Sequence, residues 1–153
     1  MRLILYLMLL LSVAAHAEAT PTRSATAADA NGNAARIQEF NRKLPLAKAH
    51  LRAVEDELKR SDAVLKQYVE QAGNADIAGQ SGRFIELDTK GKAVFPRWTV
   101  LDQCGSLGTA AYELWMARLQ ASKGPMNKQS YEWAHKFWLD TQRGCQQQMN
   151  DPS

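Results

Sequence analysis

The sequence predicts an all-α protein, a small three- or four-helix bundle whose two C-terminal helices form an antiparallel hairpin stapled by a disulfide. Three observations carry this prediction. Apolar residues alternate in steps of three and four from Ile37 to Ala72, the seam of a heptad helix. Two later segments each show a wide apolar arc at helical spacing, on either side of Ser122-Lys123-Gly124-Pro125. The only two cysteines, Cys104 and Cys145, lie symmetrically about that turn. The chain of 153 residues has room for one small domain.

Taken in order, Met1 and Arg2 precede an apolar run from Leu3 to Leu11 and the small-residue triplet Ala15-His16-Ala17. This is the pattern of a secretory signal peptide over residues 1–17, cleaved after Ala17. The run is shorter than the about 20 residues a helix needs to cross a bilayer core, so no membrane anchor is expected after cleavage. The expected location is periplasmic or secreted. Residues 18–33 contain no large apolar side chain and cannot bury enough surface to offset their ordering entropy, so they read as a flexible leader. A single helical domain is expected over residues 34–150.

The first helix is expected from Ala34 to Ala72, following Ile37, Phe40, Leu44, Ala47, Leu51, Val54, Leu58, Ser61, Leu65, Tyr68 and Ala72. Opposite charges at i,i+4, such as Arg52 with Asp56 and Glu55 with Lys59, support its outer face. Pro45 removes a backbone donor, so a kink or break is expected there. Gly73-Asn74 supplies residues that tolerate the left-handed conformation closing a helix. Between there and Pro96, Phe84-Ile85-Glu86-Leu87 and Ala93-Val94-Phe95 flank Asp88-Thr89-Lys90-Gly91. That pattern fits a short β-hairpin in the 83–95 connection as well as it fits an irregular loop.

Thr99 and Asp102 have the spacing of a capping box, which starts the next helix at Thr99. Its apolar arc includes Leu101, Cys104, Leu107, Gly108, Ala111, Tyr112, Leu114, Trp115 and Leu119, with Arg118 intruding. A guanidinium there must find a carboxylate or reach solvent near the turn, and an internal salt bridge is expected. The last helix is expected from Asn127 or Ser130, with Tyr131, Trp133, Ala134, Phe137, Trp138, Thr141, Cys145 and Met149 forming its arc. Both arcs are too wide for one helix contact, so both helices must also face the first. In an antiparallel pair Cys104 and Cys145 come opposite each other, and an exported protein meets an oxidising space. They are expected to form a structural bond, since redox-active dithiols usually stand two residues apart.

The chemical inventory points away from catalysis. There is no Gly-rich phosphate loop, nucleophile elbow, haem-attachment motif or cluster of residues at metal-ligand spacing. Glu132 and His135 share a helical face like half of a di-iron site, but no second Glu-x-x-His exists. Both, and His50 between Lys48 and Arg52, read as solvated helix positions, as do Glu55, Asp56 and Glu57. No cofactor and no metal are expected. The 19 basic and 16 acidic residues are interspersed, which gives no basis for nucleic-acid binding.

Aromatics are the exception, concentrated from Phe95 to Trp138 with all four Trp among them. Trp133 and Phe137 lie at one edge of their arc and Tyr112 at the edge of the facing one, and such residues anchor protein interfaces. The expectation is a non-enzymatic exported protein that binds another protein through Tyr112, Trp133 and Phe137, as an inhibitor or toxin-immunity factor. In size and compartment alone it is similar to bacterial immunity proteins, which block a toxin in the periplasm. The alternative is a periplasmic chaperone or assembly module dimerising through the 37–72 seam, so monomer and homodimer both stand. A small-ligand or haem binder in the bundle core is a third reading without a specific motif.

Overall fold

The computed structural model describes residues 27–71, 75–124 and 128–151. The segment expected to be a signal peptide, most of the expected leader and the expected helix end at Gly73-Asn74 lie outside them. Four α-helices follow one another: α1 (Ala27–Glu70), α2 (Ile77–Val94), α3 (Leu107–Ser122) and α4 (Lys128–Asn150), with a 3-10 segment (Asp102–Ser106) leading into α3. No strand forms among the described residues, and none of their helices is long and apolar enough to cross a membrane. The helical bundle and its stapled hairpin are as the sequence predicts.

α1 starts at Ala27, seven residues before the expected Ala34, and runs through Pro45 without a break. Pro45 is exposed, so the carbonyl it cannot bond lies on the solvent side, where water substitutes. The heptad seam is buried within this one chain. Phe40, Ala47, Leu51, Val54, Leu58 and Ser61 are all in the core, while Ile37 at the overhanging start remains exposed.

The segment read as a β-hairpin is helix α2. Its buried positions, Gln80, Phe84 and Gly91, with Leu87 packed at the core's edge, keep helical spacing. Asp76 caps the start by accepting from the Gly79 amide at 2.9 Å. The turn-like Asp88-Thr89-Lys90-Gly91 is absorbed mid-helix: Thr89 Oγ1 donates to the Ile85 carbonyl at 2.9 Å, and Lys90 and Lys92 pair back to Glu86 and Asp88 at 2.6 and 2.7 Å. Gly91 serves helix packing. A Cβ there would come 2.5 Å from His50 Nε2 and 3.2 Å from the Gly105 carbonyl oxygen. Gly108 on α3 likewise seats directly against the backbone of Asp88.

α3 begins later than the expected Thr99. Thr99 and Asp102 do not form the capping box: Thr99 Oγ1 donates to the Pro96 carbonyl at 2.7 Å, and Asp102 Oδ2 accepts from the Trp98 amide at 3.2 Å. Leu101 then takes a left-handed conformation at φ 64°, fixed by its complete burial, before the 3-10 segment starts. Cys104 and Cys145 are joined, with their Cα atoms 4.7 Å apart.

At the centre Trp115 is fully buried, its ring 6.4 Å from that of Phe84 and its Nε1 donating to Ser81 Oγ at 3.2 Å. Glu57, read from the sequence as solvated, is buried instead. It accepts from Arg60 at 2.6 Å, Arg83 Nε at 2.7 Å and Gln80 Nε2 at 2.9 Å, because α2 crosses α1 at this turn. Glu55 is half-buried and accepts from Gln142 of α4 at 2.7 Å. Arg118 reaches Asp62 of α1 at 2.7 Å, the salt bridge expected of it.

Two outcomes follow from this packing. Replacing both cysteines by alanine removes closure of a loop of about 40 residues and should cost up to about 4 kcal/mol, read as a lower melting temperature that added reductant reproduces in the wild type. Glu57→Ala leaves the buried Gln80 amide without its acceptor and removes one of the partners of half-buried Arg83, which keeps Gln80 Oε1 and Asp76. It should cost about 1–3 kcal/mol in denaturant unfolding, whereas Asp56→Ala on the exposed side should change little.

Candidate partner-binding surface

Trp133 and Phe137 stand one turn apart on α4, and their rings stack with centroids 5.4 Å apart and planes 20° from parallel. Trp133 remains 57% exposed, while Phe137 is half-buried. The next position inward, Trp138, is buried in the core. The two aromatics thus mark the line where the apolar arc of α4 leaves the interior.

Trp133 forms one wall of a groove of about 400 Å³ between α3 and α4, faced by Glu113, Met116 and Gln120 across from Gln129 and Ser130. Phe137 lines a second cavity, of about 470 Å³, with Phe95, Pro96, Arg97, Ser106 and Thr109. The stacked pair therefore bridges two concavities along the hairpin. Tyr112 is placed differently. It lies four residues after Gly108 and three before Trp115, on the flank of α3 whose residues meet Asp88 and Ser81 of α2, so helical spacing turns it away from the groove beside Trp133.

Sequence reasoning missed Trp98. It is 93% exposed and has φ 68°, a rare conformation for a bulky residue. The turn that carries it is pinned at both ends by buried Phe95 and Leu101 and braced in the middle by the Asp102 carboxylate. Asp102 is braced in turn by Gln148 Nε2 of α4 at 2.8 Å, and Gln148 Oε1 accepts from the Gln103 amide at 3.0 Å. The available signal was Pro96-Arg97-Trp98-Thr99, polar and turn-forming residues around one tryptophan between two apolar anchors.

His50 also departs from the sequence reading. It is half-buried against Gly91, with its ring centroid 6.0 Å from that of Phe95, and its Nε2 is buried without a hydrogen-bond partner. Burial pushes the imidazole below the usual histidine range, and the negative charge of Asp88 offsets part of that effect. Glu132 and His135 are exposed, with Glu132 3.5 Å from Lys128 and His135 stacked on Tyr131. Among the described residues no group of His, Cys, Asp and Glu could hold a metal ion.

Comparison with known proteins finds no matching family, no similar curated protein and no similar solved structure. The surface is read from its own geometry. Its placement predicts that Trp133→Glu leaves the unfolding midpoint nearly unchanged, while Trp138→Ala, emptying a core site, costs about 3–5 kcal/mol. Equal losses in the two variants would place Trp133 in the core.

Proposed function

We propose that this chain is an exported helical protein without catalytic machinery that acts by binding another protein, as an inhibitor or toxin-immunity factor. The observation that supports this most is the stacked, exposed Trp133 with Phe137 between two concavities. Large rigid aromatics lose little conformational entropy on binding and dominate interface energetics. Trp98, held outward on a braced turn, adds a second anchor. Export rests on the Met1–Ala17 pattern, in keeping with a disulfide-stapled domain.

Dimerisation through the 37–72 seam is the weaker reading. Ala47, Val54 and Ser61 are fully buried inside one chain, so a second chain using the seam would have to displace α2 and α3.

The experiment compares mature chain, residues 18–153, with a Trp133→Ala/Phe137→Ala variant as baits in periplasmic and extracellular fractions, with melting curves of both. The expected result is one stoichiometric protein retained at high salt by the wild type and lost by the equally stable variant. Undiminished retention by the variant would reject this surface, and a protein that captures nothing would reject the reading itself.

A further inference from the structure

Among the described residues, Nε2 of His50 is the only buried side-chain nitrogen or oxygen without a hydrogen-bond partner. It lies where α1 meets α2 and the 3-10 segment. A Cβ on Gly91 would meet both Nε2 and the Gly105 carbonyl, and Gly105 itself seats against the Phe95 carbonyl. Phe95, whose ring neighbours His50, is also the first anchor of the turn that ends at Leu101. That turn contains Trp98 and Leu101, the two non-glycine residues of positive φ among those described. One tight joint thus supports both the unpartnered imidazole and the strained turn.

We propose that His50 is a pH-sensitive latch: neutral, it packs dry beneath the Phe95–Leu101 turn, and protonated it draws water to Nε2, parting α1 from Gly91 and Gly105 and releasing the turn that holds Trp98. An imidazolium has donors on both ring nitrogens, and here one of them would be buried without an acceptor, which is costly. The charged surroundings are sparse. From α2 comes Asp88, already accepting from Lys92 and from Thr109 Oγ1 at 2.7 and 2.5 Å. The 3-10 segment brings Gly105 and, one turn earlier, Asp102, whose oxygens are taken by Gln148 and the Trp98 amide. Arg97 in the turn is exposed, and on α1 the neighbouring Leu46, Ala47, Ala53 and Val54 are neutral while Lys48 and Arg52 are exposed.

The sign is set by the lowered affinity of the closed joint for a proton. Above about pH 6.5, the ordinary histidine value, closed and open forms are both neutral and the latch holds. As pH falls below that value the open form takes up a proton that the closed form refuses, so closure is progressively lost.

The test is a proton–nitrogen NMR titration of the mature chain from pH 7.5 to 4.5, following the amides of Trp98 and Leu101 and the Trp98 indole, with helicity monitored in parallel. The wild type should show these signals moving together, with a midpoint below about 6.5 and with helicity retained, while His50→Gln shows no such transition. The same transition in His50→Gln, or no movement in the wild type over that range, overturns the latch. Should His50→Gln fail to fold, the imidazole C2 proton of His50 is followed in the wild type instead: the latch requires it to titrate with the same midpoint as the Trp98 and Leu101 signals, and a midpoint separate from theirs rejects the proposal.

Discussion

Two antiparallel helices joined by a short turn are held together at the turn and are free to splay at the other end. The bond between Cys104 and Cys145 closes that open end, and much of the protein's detail is arranged around it. Three residues past Cys145, Gln148 bonds the Gln103 amide with one end of its side chain and Asp102 with the other, and Asp102 accepts from the Trp98 amide. A covalent tie is thereby extended through three hydrogen bonds to an exposed aromatic. Without it the open end of the hairpin would rest on these hydrogen bonds and on side-chain packing alone.

The same bond forces economy on the other helices. The 3-10 segment and α3 are held close to α4, so α2 and α1 must approach them from the remaining side. They do so where side chains are absent or small: Gly108 against Asp88, and Gly91 against His50 and Gly105. Close backbone approach leaves polar groups enclosed, and each must find a partner within the bundle. Glu57 collects Arg60, Arg83 and Gln80, and Thr109 uses Asp88. Among the described residues His50 Nε2 is the exception, and burial at the joint lowers the proton affinity of the imidazole.

The aromatic surface is a consequence of arcs wider than their contacts. On α4 the apolar arc spans more than α1 and α3 together can cover, so Trp138 and Ala134 turn inward while Trp133 and Phe137 come to rest at the boundary. Their stacking keeps the exposed pair in one arrangement, and preorganised aromatics of this kind suit a protein partner. Trp98 reaches the surface by another route, through a turn held in unfavourable backbone geometry by its buried ends.

Periodicity and covalent symmetry were sufficient to determine the helical class, the α3–α4 hairpin and its disulfide, because each depends on spacing along a single helix or about a single turn, whereas what covers the heptad seam was left to the tertiary structure. The sequence also located Trp133 and Phe137 at the edge of an arc, which is again a property of one helix. It did not determine α2, since glycines and Asp-Thr-Lys-Gly have turn propensity in isolation, and only contact with α1 and α3 makes Gly91 a packing surface instead of a turn. Nor did it separate Tyr112 from Trp133, because that depends on which neighbour each flank of α3 meets. His50 and Glu57 look solvated among their charged sequence neighbours, and the crossing of α2 over α1 buries them. Local pattern specifies what one helix offers, while the environment of a side chain is decided by elements distant in sequence.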